Sequence, residues 1–487
     1  MSSSISSLNG GQSSAIDQLV AQYTASISQP VYQLQMQQSQ ISSSISTYQD
    51  VKTKLANLQT QANSLSAVGS LSPLAAKTAS SSNSAIVTAT AQSTATSGTH
   101  SLLVTQLAKY DTLVSSQLTQ TGTDISTATG AGAFTFSVTV NGTATNVNVT
   151  VNAGDTNSTV MANMASAVNA ANIGVTASVV NDTSSTARLV FTSKSSGSTN
   201  AVSVADVTGN LAASVGWTSS VISGRTASTS TGAGFVNSSV NSLDANFTLD
   251  GISIVRGSNT VTDVLTGVTL NLAGTQLPTD NPVTLTVSAD TTSIQSTIQN
   301  FINTYNTVIT TLNSDITTNS QTQVRGPLAG DVSFMNLQLS LQNILMGQVS
   351  SAKSGNPNTL SAIGITLNKD GTLTISNQST LTSTLNSNPT AVSDLFSSSN
   401  GVAVQLNTLV SSFSNPGGVM DQKINGAQDQ ISMMNDQISS MQASINLQAE
   451  AMRQQFTAYQ SMLIQLTQTQ STMNNIWQGM ASSGMAV

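Results

Sequence analysis

The chain has 487 residues, a length that predicts roughly two to four domains. Its formal net charge is −7, and only 7% of its residues are charged, against about 25% in typical domains. Hydrophobic residues make up 38%, so the chain can bury a core, and its polar surface must be built from Ser, Thr, Asn and Gln. With 13 Lys and Arg residues, the composition argues against a nucleic-acid partner and against an anionic membrane.

Several classes of chemistry lack the residues that they require. The chain has no cysteine, which excludes disulfides, thiolate catalysis and zinc–thiolate sites. His100 is the only histidine, the carboxylates do not have the spacing of a calcium loop, and the phosphate-binding and nucleophile-elbow motifs are absent. We therefore expect no metal, no cofactor and no enzymatic activity.

The N-terminal residues 1–14 are rich in Ser, Gly and Asn, and we expect them to be disordered. They lack the basic and apolar regions of a cleaved signal peptide, and no apolar run is long enough to span a bilayer. The plain interpretation is a cytoplasmic protein. The alternative is export by a route that recognises an unstructured N-terminus.

Two amphipathic helices are predicted next. The first has helical spacing at Ile16, Leu19, Val20, Tyr23 and Ile27, and Pro30 then marks a break or a restart of the helix. The second is predicted near residues 31–66, where apolar or small residues recur every seven positions, at Leu34, Ile41, Tyr48, Leu55 and Ala62.

From Gly69 onward the composition and pattern of the sequence change to alternating Val, Ala and Thr, which indicates β-strands. Hairpins are predicted over 134–151, with Asn141–Gly142 as the turn, and over 246–255. A helix is predicted from Asp155 to Ala171. Further strands are predicted at 85–91, 101–107, 175–180, 188–192, 268–272 and 283–287, with a Ser/Thr/Gly-rich connector near 218–234.

Helical periodicity returns at Ser293. Helices are predicted over 293–312, 331–347, 378–386, 389–396 and 402–413, with a small hairpin closed at Asp370–Gly371. The last and longest helix is predicted from Val419 to Trp477, and at 1.5 Å per residue it would be about 90 Å long. Its apolar stripe recurs every seven residues, at Ile424, Ile431, Ile438, Ile445, Met452, Tyr459, Leu466 and Met473.

A helix of that length needs a partner along its whole stripe. We expect its first half to pack against residues 34–65 of the same chain, and its second half, near 450–477, to depend on neighbouring molecules. The candidates for packing within the stem are Leu34, Ile41, Tyr48, Leu55, Ile424, Ile431, Met434, Ile438 and Met441. The candidates for an assembly interface are Ile16, Leu19, Val20, Tyr23, Ile445, Ala449, Met452, Phe456, Tyr459, Leu463, Leu466 and Met473.

The predicted fold class is a multidomain α+β protein. Long terminal helices form a coiled-coil or helical-bundle stem, and β-rich head domains are inserted between them. The methionines near the C-terminus suit either ordinary helix packing, which we favour, or an adaptable binding surface. Trp217 and Phe235 beside the connector are expected to be buried, the alternative being an exposed adhesion patch.

Fragments in all parts of the chain resemble, in order, the flagellar filament cap proteins of bacteria, the hook-associated protein 2 family. Residues 136–204 resemble the repeat found in flagellins and hook-associated proteins. The near absence of Glu, Lys and Arg in the helices departs from the family pattern. The fragments are Ala15–Tyr23, Gln29–Leu34, Tyr48–Leu58, Phe247–Ile252, Asn259, Gly267–Leu270, Phe301–Asn306, Gly326–Asp331, Leu360–Ile365, Asp370–Ile375 and Asn388–Pro389.

The resemblance implies a structural protein at the tip of the flagellum, where exported flagellin folds and polymerises beneath it. It implies export through the flagellar type III channel without a cleaved signal peptide, and an extracellular location. The implied partners are flagellin, the hook–filament junction proteins, a cytoplasmic export chaperone and copies of the chain in a ring, with no nucleic acid and no membrane insertion. We expect five subunits, although the helical seams alone allow four, five or six. Some relatives also act in adhesion.

With this resemblance we divide the chain into four parts. Residues 1–40 and 445–487 form a terminal helical leg, partly disordered in the monomer. Residues 41–75 and 291–444 form a helical stem with a small β-hairpin. Residues 76–118 and 232–290 form an inner β-rich head domain, and residues 119–231 form an outer head domain with the flagellin-type repeat.

Two other classes of protein stay open. The chain could be another axial protein of the flagellum, a flagellin or a hook–filament junction protein, since these share the repeat at 136–204. It could also be a secreted adhesin unrelated to motility. Three fragments favour the cap: Phe301–Asn306, Gly326–Asp331 and the hairpin at Asp370.

Overall fold

The computed structural model describes residues 17–318 and 325–482, which form two compact units. The helical unit contains the chain up to Ala67, Ser296–Thr384 and the chain from Ala391 onward. The β-rich unit contains Val68–Gln295 and Leu385–Thr390. The predicted order of helix, β-rich insert and helix is therefore confirmed. Ile16 and the predicted disordered segment 1–14 lie outside the described residues.

The helices have the following bounds. They are α1 (helical over 17–27), α2 (Gln29–Ser66), α3 (Asp124–Thr129), α4 (Asn157–Ala171), α5 (Leu211–Ser214), α6 (Ser219–Ser223), α7 (Thr291–Ile316), α8 (Val332–Met346), α9 (Gln378–Ser387), α10 (Pro389–Ser397), α11 (Val402–Ser414) and α12 (Val419–Ser482).

The strands are short, and most belong to the β-rich unit. They are β1 (Lys77–Ser81), β2 (Val87–Ala91), β3 (Gly98–Gln106), β4 (Tyr110–Val114), β5 (Leu118–Thr119), β6 (Gly132–Val140), β7 (Thr143–Val151), β8 (Val175–Val180), β9 (Thr186–Ser196), β10 (Ser203–Thr208), β11 (Gly234–Phe235), β12 (Ala245–Leu249), β13 (Ile252–Arg256), β14 (Thr260–Leu265), β15 (Val268–Leu272), β16 (Val283–Ala289), β17 (Ile365–Leu367) and β18 (Leu373–Ile375).

The β-rich unit has two hydrophobic cores. In one, the sheets β1-β16-β3-β12-β13 and β14-β15-β2 enclose alternating residues such as Leu102, Val104 and Phe247. In the other, α4 packs its apolar stripe on β7, β8 and β9, and the sheets β10-β6-β7 and β11-β4-β9-β5, with β8 beside β9, complete the core. All strand pairs among the described residues are antiparallel.

Trp217 and Phe235 lie in the second core, 2% and 1% exposed, so the prediction that they are buried is confirmed. The predicted connector at 218–234 is wrong in part. It contains α6, which Thr218 caps at its N-terminus by accepting from the backbone N–H of Val221. Ser, Thr and Gly dominate this segment, and such residues suit helix caps as well as loops.

A buried ion pair joins distant parts of the second core. The carboxylate of Asp111 in β4 is fully buried and accepts from two guanidinium nitrogens of Arg225, at 2.7 and 3.1 Å. The same guanidinium lies 3.9 Å from the centre of the Phe235 ring. Removing one partner would leave an uncompensated buried charge, which costs about 3–5 kcal/mol.

In the helical unit, α2 supplies a fully buried row to the core, and it packs against α11 and α12. Pro30 interrupts the hydrogen bonding between α1 and α2, but Ser28 keeps a right-handed helical backbone (φ −84°, ψ −8°), so the helix restarts at once. The members of the buried row are Val51, Leu55, Leu58, Ala62 and Leu65.

Removal of one side chain from this row tests the packing. We expect Leu58→Ala, which truncates a side chain with 0% exposure, to lower the free energy of unfolding by about 2–5 kcal/mol. The matched control is Leu447→Ala on α12, where the side chain is 73% exposed and the loss should stay within about 0.5 kcal/mol. Urea unfolding followed by helical circular dichroism measures both. Equal losses would show that α2 does not anchor the core.

Candidate assembly surface on the long C-terminal helix

Helix α12 is paired with α1 and α2 in an antiparallel arrangement, which polar contacts at successive positions define. Lys52 forms an ion pair with Asp421, and Gln38 donates to Asn435 at 2.8 Å. Further along, Tyr23 donates to Gln448 at 3.3 Å, and Arg453 lies 3.2 Å from Asp17. As the contacting residues on α2 and α1 approach the N-terminus, their partners on α12 lie progressively closer to the C-terminus, which is the order of an antiparallel pair.

An apolar cluster lies between these contacts. Val31, Ile438 and Ile445 are buried together, and Ile27, Leu34 and Met441 pack against them. The predicted packing of the first half of α12 within the chain is therefore confirmed. The remaining stem candidates are fully buried at Leu55, nearly so at Ile424, and half-buried at Ile41, Tyr48, Ile431 and Met434.

Tyr48 shows that the seven-residue row of α2 does not all face α12. Its ring stacks on Phe334 of α8, with ring centres 5.8 Å apart and planes 9° from parallel. A repeat of seven drifts around a straight helix, so successive positions of one row meet different neighbours.

The assembly candidates fall into two groups. Val20 and Ile445 are buried within this chain, so the structure does not present them to a neighbouring molecule. The pairing extends to about Phe456, further than the sequence indicated, because α1 continues the partner that α2 provides. Leu19 is exposed, Tyr23, Ala449, Met452 and Phe456 are half-buried, and Tyr459, Leu463, Leu466 and Met473 are exposed.

Beyond Phe456, α12 continues as a helix whose described residues are exposed, apart from the half-buried Gln460. We call residues 457–482 the exposed end of α12; they span roughly 40 Å. Its large apolar side chains are between 40% and 69% exposed. They are Tyr459, Met462, Leu463, Ile464, Leu466, Met473, Ile476, Trp477 and Met480.

The exposed end of α12 has an apolar stripe along one face, which we call its seam, and no charged residue. Its apolar positions 459, 463, 466, 473, 477 and 480 follow the alternating steps of three and four that bring side chains to one face of a helix. No charged residue follows Arg453 in the sequence. A contiguous apolar stripe of this length on a surface marks an interaction site, and the seam that sequence analysis located extends further, to Trp477 and Met480.

Two ion pairs fix the beginning of α12. Asp421 accepts from Lys52, and this hydrogen bond, followed by one from the backbone N–H of Gly417, lowers the pKa of Asp421. Asp331 accepts from Lys423 at 2.6 Å and caps α8 through the backbone N–H of Ser333. Burial raises the pKa of Asp331, but these hydrogen bonds outweigh burial, so its pKa is lowered overall.

Three of the fragments that suggested the cap family have structural roles here. Tyr305 donates to the carbonyl of Gly371 at 3.0 Å, and burial followed by the nearby charge of Asp370 raises its pKa. Asn306 binds both backbone groups of Leu373, at 2.7 and 2.8 Å. Helix α7 thereby holds the β17–β18 hairpin.

The fragment at Gly326–Asp331 lies against the end of α7. A Cβ at position 326 would meet the carbonyl oxygen of Asp315 at 2.2 Å, so only glycine fits this approach. Leu328 donates its N–H to the same oxygen at 2.8 Å. The fragment therefore passes closely over α7 before Asp331 begins α8.

The described residues hold no group of three or more His, Asp or Glu side chains that could bind a metal ion. A cavity of about 480 Å³ in the β-rich unit is lined by Lys194, Arg256 and Asp263 among hydroxyl groups. Asp263 accepts from Arg256, which lowers its pKa. No helix in residues 17–318 and 325–482 is long and apolar enough to cross a membrane.

Comparison with known proteins identifies the family. Models of the N-terminus and the C-terminus of flagellar hook-associated protein 2 match residues 13–111 and 242–468. The chain is similar to the A-type flagellar hook-associated protein 2 of Pseudomonas aeruginosa, with 30% identity over 313 residues, which are 62% of this chain and 63% of that protein. It is also similar to flagellar hook-associated protein 2 of Escherichia coli K12, with 26% identity over 493 aligned positions that cover 99% of each.

The chain belongs to the flagellar hook-associated protein 2 family. This confirms the family that the ordered fragments indicated. The structure of this hook-associated protein 2 family member is similar to the D1–D2–D3 domains of the flagellar cap protein FliD from Escherichia coli. The TM-score is 0.59 at 26% identity, covering 78% of this chain and 99% of that one. The predicted α+β multidomain fold agrees with this neighbour.

The ion pairs at the start of α12 predict that the free energy of unfolding falls as the pH is lowered. Because the pKa values of Asp421 and Asp331 are lower in the folded chain than in the unfolded chain, their stabilising contribution is present above the unfolded value of about 4 and is lost as the pH falls through the folded value. We expect Asp421→Asn with Asp331→Asn to flatten the fall in unfolding free energy below about pH 4.

Urea unfolding between about pH 7 and pH 3 measures this slope. Asp429→Asn is the control, because Asp429 is exposed on the same helix. The control should keep the slope of the unchanged chain. If the double variant kept it as well, the two ion pairs would not be the source of the acid dependence.

Proposed function

We propose that this chain caps the distal tip of the bacterial flagellar filament as a homo-oligomer, and that exported flagellin folds and polymerises beneath it. Filament elongation and motility would then depend on it. The proposal is supported by membership of the hook-associated protein 2 family. Within the molecule it depends on one observation, the uncharged apolar seam along the exposed end of α12.

The exposed end of α12 acts as the assembly surface in this proposal. Burial of its seam against neighbouring copies and the filament end would remove the apolar side chains from water, at about 25 cal/mol per Å². Met462, Met473 and Met480 have flexible side chains that adapt to neighbours of different shape. A surface of this kind suits a cap that stays bound while subunits are added beneath it.

The proposed partners are flagellin, the hook–filament junction proteins and an export chaperone in the cytoplasm. The proposed cap is a ring, for which we retain five subunits as the expected number. Export through the flagellar channel without a cleaved signal peptide is part of the same proposal, and a chain without cysteine forms no disulfides that would hinder its passage. The finer division into leg, stem, inner head and outer head is also proposed.

The alternatives differ in where the protein is found. A flagellin or a junction protein would lie along the shaft or at its base, and electron microscopy of labelled protein would locate it. An adhesin unrelated to motility would leave filaments intact when its gene is deleted. Trp217 and Phe235 do not provide an exposed adhesion patch, since both are buried.

Charges placed on the seam test the assembly surface. We expect Tyr459→Glu with Leu466→Glu and Met473→Glu to abolish filament growth, because burial of three carboxylates is unfavourable. The matched control is Ser461→Glu with Gln468→Glu and Asn475→Glu, which adds the same charge about 200° around the helix. Swimming assays and electron microscopy of filaments measure both sets. If both sets abolished growth alike, charge in general and not the seam would be responsible.

A pair of truncations separates assembly from folding. Removal of residues 457–487 should leave the stability of the helical unit almost unchanged and yet prevent capping, because all of the described residues lost are exposed except Gln460, which is half-buried. Removal of residues 441–487 also takes away Met441 and Ile445, which should lower stability because Val31 loses its cover. Thermal unfolding and a motility assay distinguish the two effects. Normal filaments from the shorter truncation would contradict the assigned surface.

A further inference from the structure

Strand β7 is an unprotected edge of the β-rich unit. It is the last strand of the sheet β10-β6-β7, and its nine residues pair with β6 without a shift in register. The turn that joins them has two residues, Asn141 and Gly142, with φ of 49° and 72°. A two-residue turn of this kind makes Val140 and Thr143 the hydrogen-bonded pair next to the turn.

The alternation of an antiparallel ladder then determines which backbone groups of β7 point away from β6. They belong to Ala144, Asn146, Asn148 and Thr150, and all four residues are exposed. Among the described residues, no hydrogen bond reaches the N–H or C=O groups of these four. Four donors and four acceptors therefore lie along one open edge.

Other edges of the same unit are protected. At β8, the side chain of Asn169 binds both the N–H and the C=O of Ala177, at 2.9 and 2.8 Å. At β10, a bulge follows Asp206, and the carboxylate of Asp206 binds the N–H groups of Ala212 and Ala213. At β13, Arg256 covers the carbonyl of Val255 at 2.8 Å. Bulges and charged side chains are the usual means of preventing edge pairing.

β7 has none of these protections. It contains no proline, and the sequence has no charged residue between Asp124 and Asp155, a stretch that includes the whole β6–β7 hairpin. Helix α4, which packs on β7, exposes small uncharged side chains, among them Ala162, Asn163, Ser166 and Ala170. Another strand could therefore approach β7, and another helix could approach α4, without meeting a charged side chain on either element.

We propose that β7 is a self-pairing edge. The β7 strand of a second copy docks antiparallel beside it, and the two three-stranded sheets join into one of six strands. The absence of charge favours this occupant, because a second copy brings the same uncharged strand and the two edges do not repel each other, although the chain as a whole has a net charge of −7. When the two-fold axis lies near Val147, Asn146 of each copy faces Asn148 of the other, and their amides can bond across the strands.

Such a contact is isologous, so two copies saturate it. It differs from the assembly surface on α12 in position and chemistry, since it consists of main-chain hydrogen bonds and not of an apolar seam. It also stands independently of the proposed capping role, because its residues belong to the β-rich unit alone.

Amide hydrogen exchange of the full chain, resolved to single residues, tests the pairing over a range of protein concentrations. The inward amides of β7, such as those of Val147 and Val149, should be protected at every concentration. The amides of Ala144, Asn146, Asn148 and Thr150 should exchange fast when dilute and slow by about tenfold or more when most of the protein is paired. Fast exchange of these amides at all concentrations would overturn the proposal.

A matched pair of variants identifies the edge as the cause. Asn146→Lys with Asn148→Lys should abolish the concentration dependence, because edge lysines repel their copies. Ser137→Lys with Thr135→Lys, at the residues directly opposite on β6, adds the same charge one strand inward and should retain it. Loss of the dependence in both pairs, or in neither, would contradict edge pairing.

Two further measurements distinguish the β7 contact from the α12 surface, and a second copy of the chain from flagellin as its partner. The variant with Tyr459→Glu, Leu466→Glu and Met473→Glu should keep the concentration-dependent protection of β7, because these substitutions change only the exposed end of α12. Protection that appears only on addition of flagellin, and not with concentration of this chain, would overturn the second copy as the occupant.

Discussion

The antiparallel pairing of α12 with α1 and α2 is the interaction on which the rest of the helical unit depends. It joins α1 and α2 to the first half of α12, although the β-rich unit separates these helices in the sequence. Among the described residues, the pairing covers only part of α12. Helix α12 has 64 residues, whereas the described part of its partner ends opposite Arg453. The covered part stabilises the fold, and the uncovered part is left with a surface that suits neighbours.

The scarcity of charge gives the few ion pairs large roles. Lys52 with Asp421 and Lys423 with Asp331 tie the start of α12 to α2 and α8, and Arg225 with Asp111 ties a loop to β4. Each joins segments more than 90 positions apart. Elsewhere, uncharged amides and hydroxyls make the polar contacts, as Asn306 does with Leu373 and Asn169 with Ala177.

The sequence predicts the elements whose own periodicity is strong. The long helices, the hairpin around Asn141–Gly142 and the stripe of α4 were recognised because one face of each is buried and the other is solvated. Strands β1, β4, β5, β10, β11 and β14 and helices α3, α5 and α6 were missed. These elements are short, and all of the missed strands except β14 pair with strands far away in the sequence, so local preference carries little signal.

The sequence predicted that the C-terminal part of α12 carries the candidate surface, but it placed the start of that surface too early, at Ile445. The repeat at Ile445 and at Leu466 looks the same in the sequence, yet Ile445 is buried within the chain and Leu466 is exposed. Ile445 is buried because it packs with Val31 and Ile27 of the N-terminal helices, and the repeat on α12 does not show which of its positions have such neighbours. Likewise, the seven-residue row on α2 does not show that Tyr48 faces Phe334. The row turns gradually around the helix, and only the positions of α8 and α12 determine which neighbour each of its residues meets.

The absence of charge after Arg453 has a consequence for the medium in which the protein works. Association through charged groups weakens as salt screens them, with a Debye length of about 8 Å at physiological ionic strength. A contact made by the exposed end of α12 contains no charges to be screened, so its strength should be nearly independent of sodium chloride. Excluded salts such as sulfate should strengthen it. A surface of this composition would hold in fresh and in saline water alike.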